Sequence, residues 1–216
     1  MLKNIKLVVL LAHPDDETYF RGLIPYYSEL CTVDVVVIAT AGIEFREKEM
    51  ERACQIYGLS GDLIFPRFQD CCFEKDLECV WNIWGKDKFF SYVSEMTLKL
   101  DPDVIVSHGL TGEYGHPNHI AVSRAATLAH AKKVYLHNYS ENKIYLDWDQ
   151  LITKLGRTSL EVGLKGLQEH RSQFSGNTED PIFNGQMDTP TGTWFGLYRT
   201  SVGEDIVKRD LLENIG

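Results

Sequence analysis

Histidine and acidic side chains are concentrated in two short segments of this 216-residue chain. Residues 12–17 read AHPDDE, and residues 112–119 read GEYGHPNH. A catalytic zinc ion takes three protein ligands from imidazoles and carboxylates and leaves one position for water. Because the two segments together supply such ligands, they predict a site with a single metal ion.

The residue types in these segments also suggest a division of labour. His13, Asp16 and His119 supply two imidazoles and one carboxylate as metal ligands. Asp15 lies beside a predicted ligand and can accept a proton from the attacking water. His116 precedes His119 by about one helical turn, so it can face the same site and stabilise an oxyanion or protonate a leaving amine. These are the parts of metal-assisted amide hydrolysis.

Each residue taken singly also has an ordinary structural explanation. An Asp in the first segment suits a helix cap, and a lone histidine in the second suits a helix surface. The two groups together favour a metal site, because both follow predicted strands. The residues by themselves do not choose firmly between zinc and iron or manganese, since two imidazoles and a carboxylate also bind non-heme iron.

The elements that must position these segments alternate along the chain. Apolar runs predict strands over residues 6–12, 32–39, 62–65, 104–107 and 134–137. The stretches between them predict helices over residues 17–30, 46–57, 86–100 and 116–130. Later, a helix is expected over 159–174 and a strand over 193–200.

This order predicts an α/β fold with a mostly parallel central sheet and helices on both faces. Ligands of such sheets bind beyond the carboxyl ends of the strands, and both segments rich in histidine and acid fall there. No repeat or long linker interrupts the chain, so residues 1–216 are expected to form a single domain.

Composition restricts the partners. The net charge of −9 disfavours nucleic acid and anionic membrane surfaces as main partners. No apolar run approaches the roughly 20 residues that span a bilayer, and no cleavage site follows the first run, so a cytoplasmic protein without a membrane segment is expected. The five cysteines are expected to be free thiols. The sequence does not determine an oligomeric state and is compatible with a homo-oligomer.

At residues 12–17 the chain resembles the LmbE/PIG-L family of zinc-dependent deacetylases, whose hallmark is AHPDDE. Further family elements match in the expected order: AGIE at residues 41–44, Arg46-x-x-Glu49, HPNH at residues 116–119 and HRSQ at residues 170–173. The resemblance covers about residues 5–175. It departs at Asn118, where an Asp is common in the family and where orientation of a ligating histidine is therefore in question.

The resemblance implies a Rossmann-like three-layer fold, a Zn²⁺ cofactor and removal of the N-acetyl group from an N-acetylglucosamine-type amino sugar or glycoconjugate. Carried over by motif position, the ligands are His13, Asp16 and His119. Asp15 is then the general base and His116 the electrostatic or general-acid histidine. Arg46 resembles a substrate-contacting arginine, although an arginine at a solvated helix start is an equally good interpretation.

Other residues are weaker candidates for the substrate site. Asp70 is expected to hydrogen-bond a substrate hydroxyl, and Tyr114 to contact a sugar ring or simply pack. Residues 177–193 match no family motif and are interpreted as a rim loop or an ordinary surface loop. Two other functions stay open: an amidase that cleaves a larger acyl group from a thiol-sugar conjugate, and a non-catalytic sugar- or nucleotide-binding module. The module is disfavoured because the first loop lacks G-x-G-x-x-G.

Overall fold

A computed structural model describes residues 4–71, 76–173, 192–200 and 211–212. The strands of its main sheet are β1 (Lys6–Leu11), β2 (Thr32–Val37), β4 (Leu63–Ile64), β6 (Val104–Ser107), β7 (Lys133–His137), β8 (Lys143–Asp147) and β9 (Gly192–Thr200). They lie in the order β4-β2-β1-β6-β7-β9-β8. The first five strands in this order are parallel, and β9 and β8 complete the sheet antiparallel to their neighbours. The predicted mostly parallel sheet is confirmed.

The helices cover both faces of this sheet. They are α1 (Leu23–Ser28), α2 (Glu44–Tyr57), α3 (Leu77–Trp84), α4 (Lys86–Leu100), α5 (Gly112–Gly115), α6 (Pro117–Leu128) and α7 (Ser159–Leu167). Successive side chains of a strand point to opposite faces, so β1 contributes to two cores. Leu7 and Val9 pack with α1 and α2, whereas Val8 and Leu10 pack with α3, α4 and α6. The predicted three-layer α/β fold is therefore confirmed.

Some elements differ from the sequence predictions. The single helix expected over residues 17–30 is a 3₁₀ turn, Asp16–Tyr19, followed by the short helix α1. The break falls where Arg21 adopts φ 45°. Pro25 explains why α1 starts so late, because proline is accommodated in the first turn of a helix but not in its interior.

Short elements at the edges were not predicted. A second, two-stranded parallel sheet pairs β3 (Ala39–Ala41) with β5 (Phe68–Gln69). Helix α3 and strand β8 were also not predicted. Helix α3 buries Trp81 and Trp84 in the core.

The cysteines match the prediction only in part. Cys31, Cys54 and Cys71 are free thiols. Cys79 is disulfide-bonded, so the expectation of free thiols throughout was wrong. Cysteine spacing along a sequence does not reveal which sulfurs the fold brings together. Among the described residues, none of the helices has the length and apolar character needed to span a bilayer.

The sheet order brings the two segments rich in histidine and acid together. Strands β1 and β6 are direct neighbours, with Leu10 opposite Ser107 near their carboxyl ends. The chain leaving β1 therefore meets the chain leaving β6, and the backbone N–H of Ala12 donates to His108 Nε2 at 3.0 Å.

Candidate active site

The loop after β1 turns sharply to present neighbouring carboxylates in different directions. Asp15 adopts a left-handed backbone with φ 92°, and the 3₁₀ turn begins at the next residue. The backbone N–H of His13 donates to Asp16 Oδ2 at 2.6 Å, which holds Asp16 against His13. As a result, Asp16 points inward with a 7% exposed side chain, while the side chain of Asp15 is 22% exposed and faces the cleft.

The loop after β6 places two histidines on one face of a helix. Gly112, Glu113 and Gly115 all adopt positive φ, which tightens α5 into a turn before α6 begins. His116 is the N-cap residue of α6, and its Nδ1 accepts the backbone N–H of Asn118 at 3.2 Å. One turn on, the His119 ring stacks on the His116 ring with centroids 4.5 Å apart.

Atoms suited to bind a metal converge where these loops meet. His13 Nδ1 lies 3.3 Å from His119 Nε2 and 3.4 Å from Asp16 Oδ2. His119 Nε2 lies 3.2 Å from Asp16 Oδ1. Ligand atoms at about 2.0–2.1 Å from a tetrahedral zinc are about 3.3 Å apart, so the spacing fits zinc or an ion of similar size. The structure thus brings together the three residues predicted as ligands.

Two further histidines lie in the same cluster. Potential ligand atoms lie within 4.8 Å of one another in each of two buried trios, which are His13, His116, His119 and Asp16, His108, His119. His108 Nε2 and His116 Nδ1 already accept backbone N–H groups. The single lone pair of each of these nitrogens is engaged by that hydrogen bond, which favours His13, Asp16 and His119 as the ligand set.

Glu113 holds the back of this cluster. Its Oε2 lies 2.7 Å from His119 Nδ1 and 3.0 Å from His108 Nδ1. Its Oε1 lies 3.1 Å from His137 Nδ1 and accepts the N–H of Gly109 at 2.9 Å. Since the carboxylate accepts the proton on His119 Nδ1, it leaves the lone pair on His119 Nε2, where a metal would bind.

The histidines around Glu113 lower its pKa. Burial alone would raise the pKa of Glu113, but the charge of His108 and the imidazole hydrogen bonds outweigh burial and hold it far below its usual range. Glu113 therefore remains an acceptor.

Asp15 stands on the opposite, cleft-facing side. The Arg46 guanidinium from α2 donates to both Asp15 Oδ1 and the carbonyl oxygen of Pro14. Burial, and then the charge of Asp16, raise the pKa of Asp15 to about 7, although Arg46 opposes the shift. A carboxylate with a pKa near neutrality is suited to exchange a proton.

The pKa of His116 is lowered, whereas those of His13 and His119 are raised. Burial, and then the charges of His13 and His119, lower the pKa of His116 to about 4. A neutral imidazole whose Nδ1 accepts a hydrogen bond carries its proton on Nε2. His116 lines the cleft, so it is placed to donate a hydrogen bond there.

The late HRSQ motif is tied to the first segment. His170 Nε2 lies 2.5 Å from Glu17 Oε1, which also accepts the Tyr57 hydroxyl at 3.1 Å. The other oxygen of Glu17 accepts the N–H of Asp15 at 3.1 Å. Glu17, the last residue of AHPDDE, thereby holds the backbone of Asp15 in position.

A cleft of about 440 Å³ opens beside the cluster. The three residues predicted to contact substrate, Arg46, Asp70 and Tyr114, all line it. Arg46 is buried and contacts Asp15, whereas Tyr114 is 62% exposed at the rim. Of the predicted rim loop, residues 177–191 lie outside the described residues.

Sequence reasoning missed the supporting contacts. Neither Glu113 nor His137 was assigned a role in the site from the sequence. The presence of Glu113 inside GEYGHPNH was a usable signal, because a carboxylate there has histidines on both sides in sequence. The pairing of Glu17 with His170 spans 153 positions and has no local signal.

Comparison with known proteins agrees with these observations. The family model described as PIG-L, GlcNAc-PI de-N-acetylase, matches residues 8–130. A probable N-acetylglucosaminyl-phosphatidylinositol de-N-acetylase of Dictyostelium discoideum is 26% identical over 125 residues, which cover 55% of this chain and 46% of that protein. A 1D-myo-inositol 2-acetamido-2-deoxy-alpha-D-glucopyranoside deacetylase of Salinispora arenicola is 23% identical over 211 residues, covering 84% of this chain and 64% of that protein. The chain thus spans about half to two thirds of the length of these relatives.

Among solved structures, N,N'-diacetylchitobiose deacetylase from Pyrococcus horikoshii is similar to this chain with a TM-score of 0.65. The match covers 89% of this chain and 83% of the other, at 17% identity. At that identity the likeness concerns the fold.

Proposed function

The chain belongs to the PIG-L family, and from that premise we propose that it is a metal-dependent hydrolase that removes the N-acetyl group from an N-acetylglucosamine-type sugar or glycoconjugate. The observation that carries the proposal is the convergence of His13, Asp16 and His119 beside a cleft that also exposes Asp15. The names of the relatives, which are deacetylases of amino sugars, support the choice of substrate class.

We assign metal binding to His13 Nδ1, Asp16 and His119 Nε2, whose spacing fits zinc. When bound, zinc would polarise the acetyl carbonyl and lower the pKa of a water molecule toward 7. Glu113 holds His119 in the tautomer that such binding requires.

Asp15 is proposed as the general base. Its carboxylate accepts a proton from the water whose oxygen attacks the acetyl carbon, and it returns that proton to the amine nitrogen as the C–N bond breaks. The second proton of the water leaves the new carboxylic acid and also ends on the amine, so the products are acetate and the amino sugar as its ammonium form. Arg46 orients Asp15 through its hydrogen bond to Oδ1.

His116 is proposed as the hydrogen-bond donor to the oxyanion that develops on the acetyl oxygen. Its Nδ1 is occupied by the N–H of Asn118, so the proton on Nε2 is the one it can offer. Because its lowered pKa leaves His116 neutral, and a neutral imidazole is a weak acid, Asp15 is proposed to return the proton to the amine.

The sugar is proposed to occupy the cleft against Asp70 and Tyr114. Asp70 can accept hydrogen bonds from sugar hydroxyls, and the exposed Tyr114 ring can pack against a sugar face. Arg46 lines the same wall, although its contacts in the structure are with Asp15 and Pro14.

The test is a screen of acetylated amino sugars for released acetate, run with purified protein before and after chelation and after zinc is restored. We expect acetate release that chelation abolishes and zinc recovers. Release of a larger acid from thiol-sugar amides, with none from acetylated sugars, would identify the amidase alternative instead. A protein that binds no metal and hydrolyses none of these amides would be a binding module, and the proposal would be wrong.

A further inference from the structure

We propose that Asp70 is a positioning residue for the metal site: its carboxylate accepts the Nε2 proton of His13 and so holds His13 Nδ1 ready to bind the metal. The inference rests on the proposed metal site and adds to the contact with sugar already assigned to Asp70. It identifies a carboxylate that supports His13 as Glu113 supports His119.

The contact is short and largely buried. Asp70 follows β5, at the end of the small second sheet, and its Oδ1 lies 3.2 Å from His13 Nε2. The His13 side chain is only 7% exposed and that of Asp70 is 32% exposed. An imidazole binds a metal through a nitrogen without a proton, and Nδ1 is the nitrogen that faces Asp16 and His119. The proton of His13 must then sit on Nε2, where it needs an acceptor.

Asn118 also lies close to His13 Nε2, but its amide nitrogen faces this atom and cannot accept a proton from it. Its Nδ2 is 3.0 Å from His13 Nε2, and two N–H groups at that distance do not hydrogen-bond. The same Nδ2 donates to Asp70 Oδ1 at 3.3 Å.

Turning the amide of Asn118 by 180° would offer Oδ1 to His13. It would also set an oxygen against the Asp70 carboxylate and remove the donor that Asp70 now uses. In the present arrangement the Nδ2 of Asn118 donates to Asp70, while its buried Oδ1 has no hydrogen-bond partner. Asp70 is therefore the acceptor for His13, and Asn118 keeps Asp70 in place.

The experiment measures zinc affinity by competition with a chromophoric chelator, without any sugar present, so that a role of Asp70 in sugar binding does not contribute. We expect Asp70→Asn to weaken zinc binding by roughly 10–100-fold, as is typical when a group that orients a ligating histidine is lost. The matched control, Asp149→Asn, changes an exposed aspartate elsewhere and should bind zinc like the original chain. Thermal unfolding of each variant without zinc checks that the fold is intact.

A rescue variant tests the mechanism. Adding Asn118→Asp to Asp70→Asn places a carboxylate oxygen where Nδ2 now lies, 3.0 Å from His13 Nε2, and should recover most of the affinity. Adding Asn118→Ala instead removes the amide without supplying an acceptor, and should recover none.

The outcomes separate this inference from the proposed function. If the original chain binds zinc and Asp70→Asn binds it equally well, the inference is wrong while the metal site stands. The inference would also be wrong if Asp70→Asn weakens zinc binding and adding Asn118→Asp does not restore it. The hydrogen bond to His13 would then not be the cause of the loss. A chain that binds no zinc at all would instead contradict the proposed function.

Discussion

Asp15 and Glu113 are carboxylates on opposite sides of one histidine cluster, and their surroundings differ sharply. Both have positive φ, 92° and 56°, in the loops that follow neighbouring strands. Asp15 faces the cleft, and its carboxylate accepts a hydrogen bond from the Arg46 guanidinium. The Glu113 side chain is 5% exposed and is surrounded by three imidazoles and a backbone N–H.

The difference shows how position assigns roles to similar groups. The pKa of Asp15 rises to about 7, because burial and the charge of Asp16 outweigh the opposing charges of Arg46 and His170. That of Glu113 falls, because its imidazole contacts outweigh burial. The first carboxylate can exchange protons, whereas the second can only accept hydrogen bonds. Backbone strain at both positions fits residues held in place for function rather than for local stability.

The largest effect expected from this comparison is at Asp15. Asp15→Asn should lower turnover by about 10²–10⁴-fold, the usual contribution of a general base, because an amide cannot accept the proton of water. Steady-state acetate release measures the loss. Zinc content of the purified variant should stay near one ion per chain.

The control for this change is Asp149→Asn, which replaces an exposed aspartate and should leave turnover unchanged. Near-normal turnover in Asp15→Asn would contradict the role of base. Loss of zinc from Asp15→Asn would also contradict the comparison, because Asp15 would then support metal binding, which is the role assigned to Glu113.

The change at Glu113 should act on metal binding. Glu113→Gln should weaken zinc binding by roughly 10–100-fold, because an amide is a poorer acceptor for the Nδ1 proton of His119. At saturating zinc, much of the turnover should return, which would not happen for Asp15→Asn. Competition titration and zinc-dependent rates measure both quantities, with exposed Glu95→Gln as the matched control.

The smallest effect is expected behind Asp15, at the pair of Glu17 and His170. Burial lowers the pKa of His170, but the charge of Glu17 and the hydrogen bond to it outweigh burial and raise this pKa. A raised pKa means that the stabilisation is complete below the unfolded value of about 6.5 and is lost as the pH rises through the folded value. His170→Gln should therefore lower the free energy of unfolding more at pH 6 than at high pH, by roughly 1–3 kcal/mol for a charge-assisted hydrogen bond.

Denaturant unfolding of the original chain and His170→Gln over a series of pH values measures this difference. His130→Gln, at a half-exposed histidine paired with Asp101 on the surface, is the matched control and should change stability little. A difference between the original chain and His170→Gln that is constant with pH would show that the charge of His170 does not contribute.

Several features were predictable because their signals are local. The run of apolar residues in β1, the Gly58 that ends α2 and the Pro117 that starts α6 each depend on a few neighbouring residues. The break before α1 was missed because Arg21 has no sequence signature for a left-handed conformation. The late helix ends at Leu167 rather than at residue 174, and His170 beyond it turns inward to Glu17.

The sequence alone determined which groups are available: two clusters of histidines and carboxylates, each placed just after a strand of a parallel sheet. Their types and spacing follow from the covalent chain, so they can be read without coordinates. Only the tertiary structure decided how these groups pair. His13 contacts His119, 106 positions away, because β1 and β6 are neighbours. Asp70 contacts His13 because it follows β5 of the small second sheet, which local sequence patterns do not predict. Tautomers, pKa values and hydrogen-bond partners depend on atoms a few ångströms away in space, and distance along the chain carries no record of them.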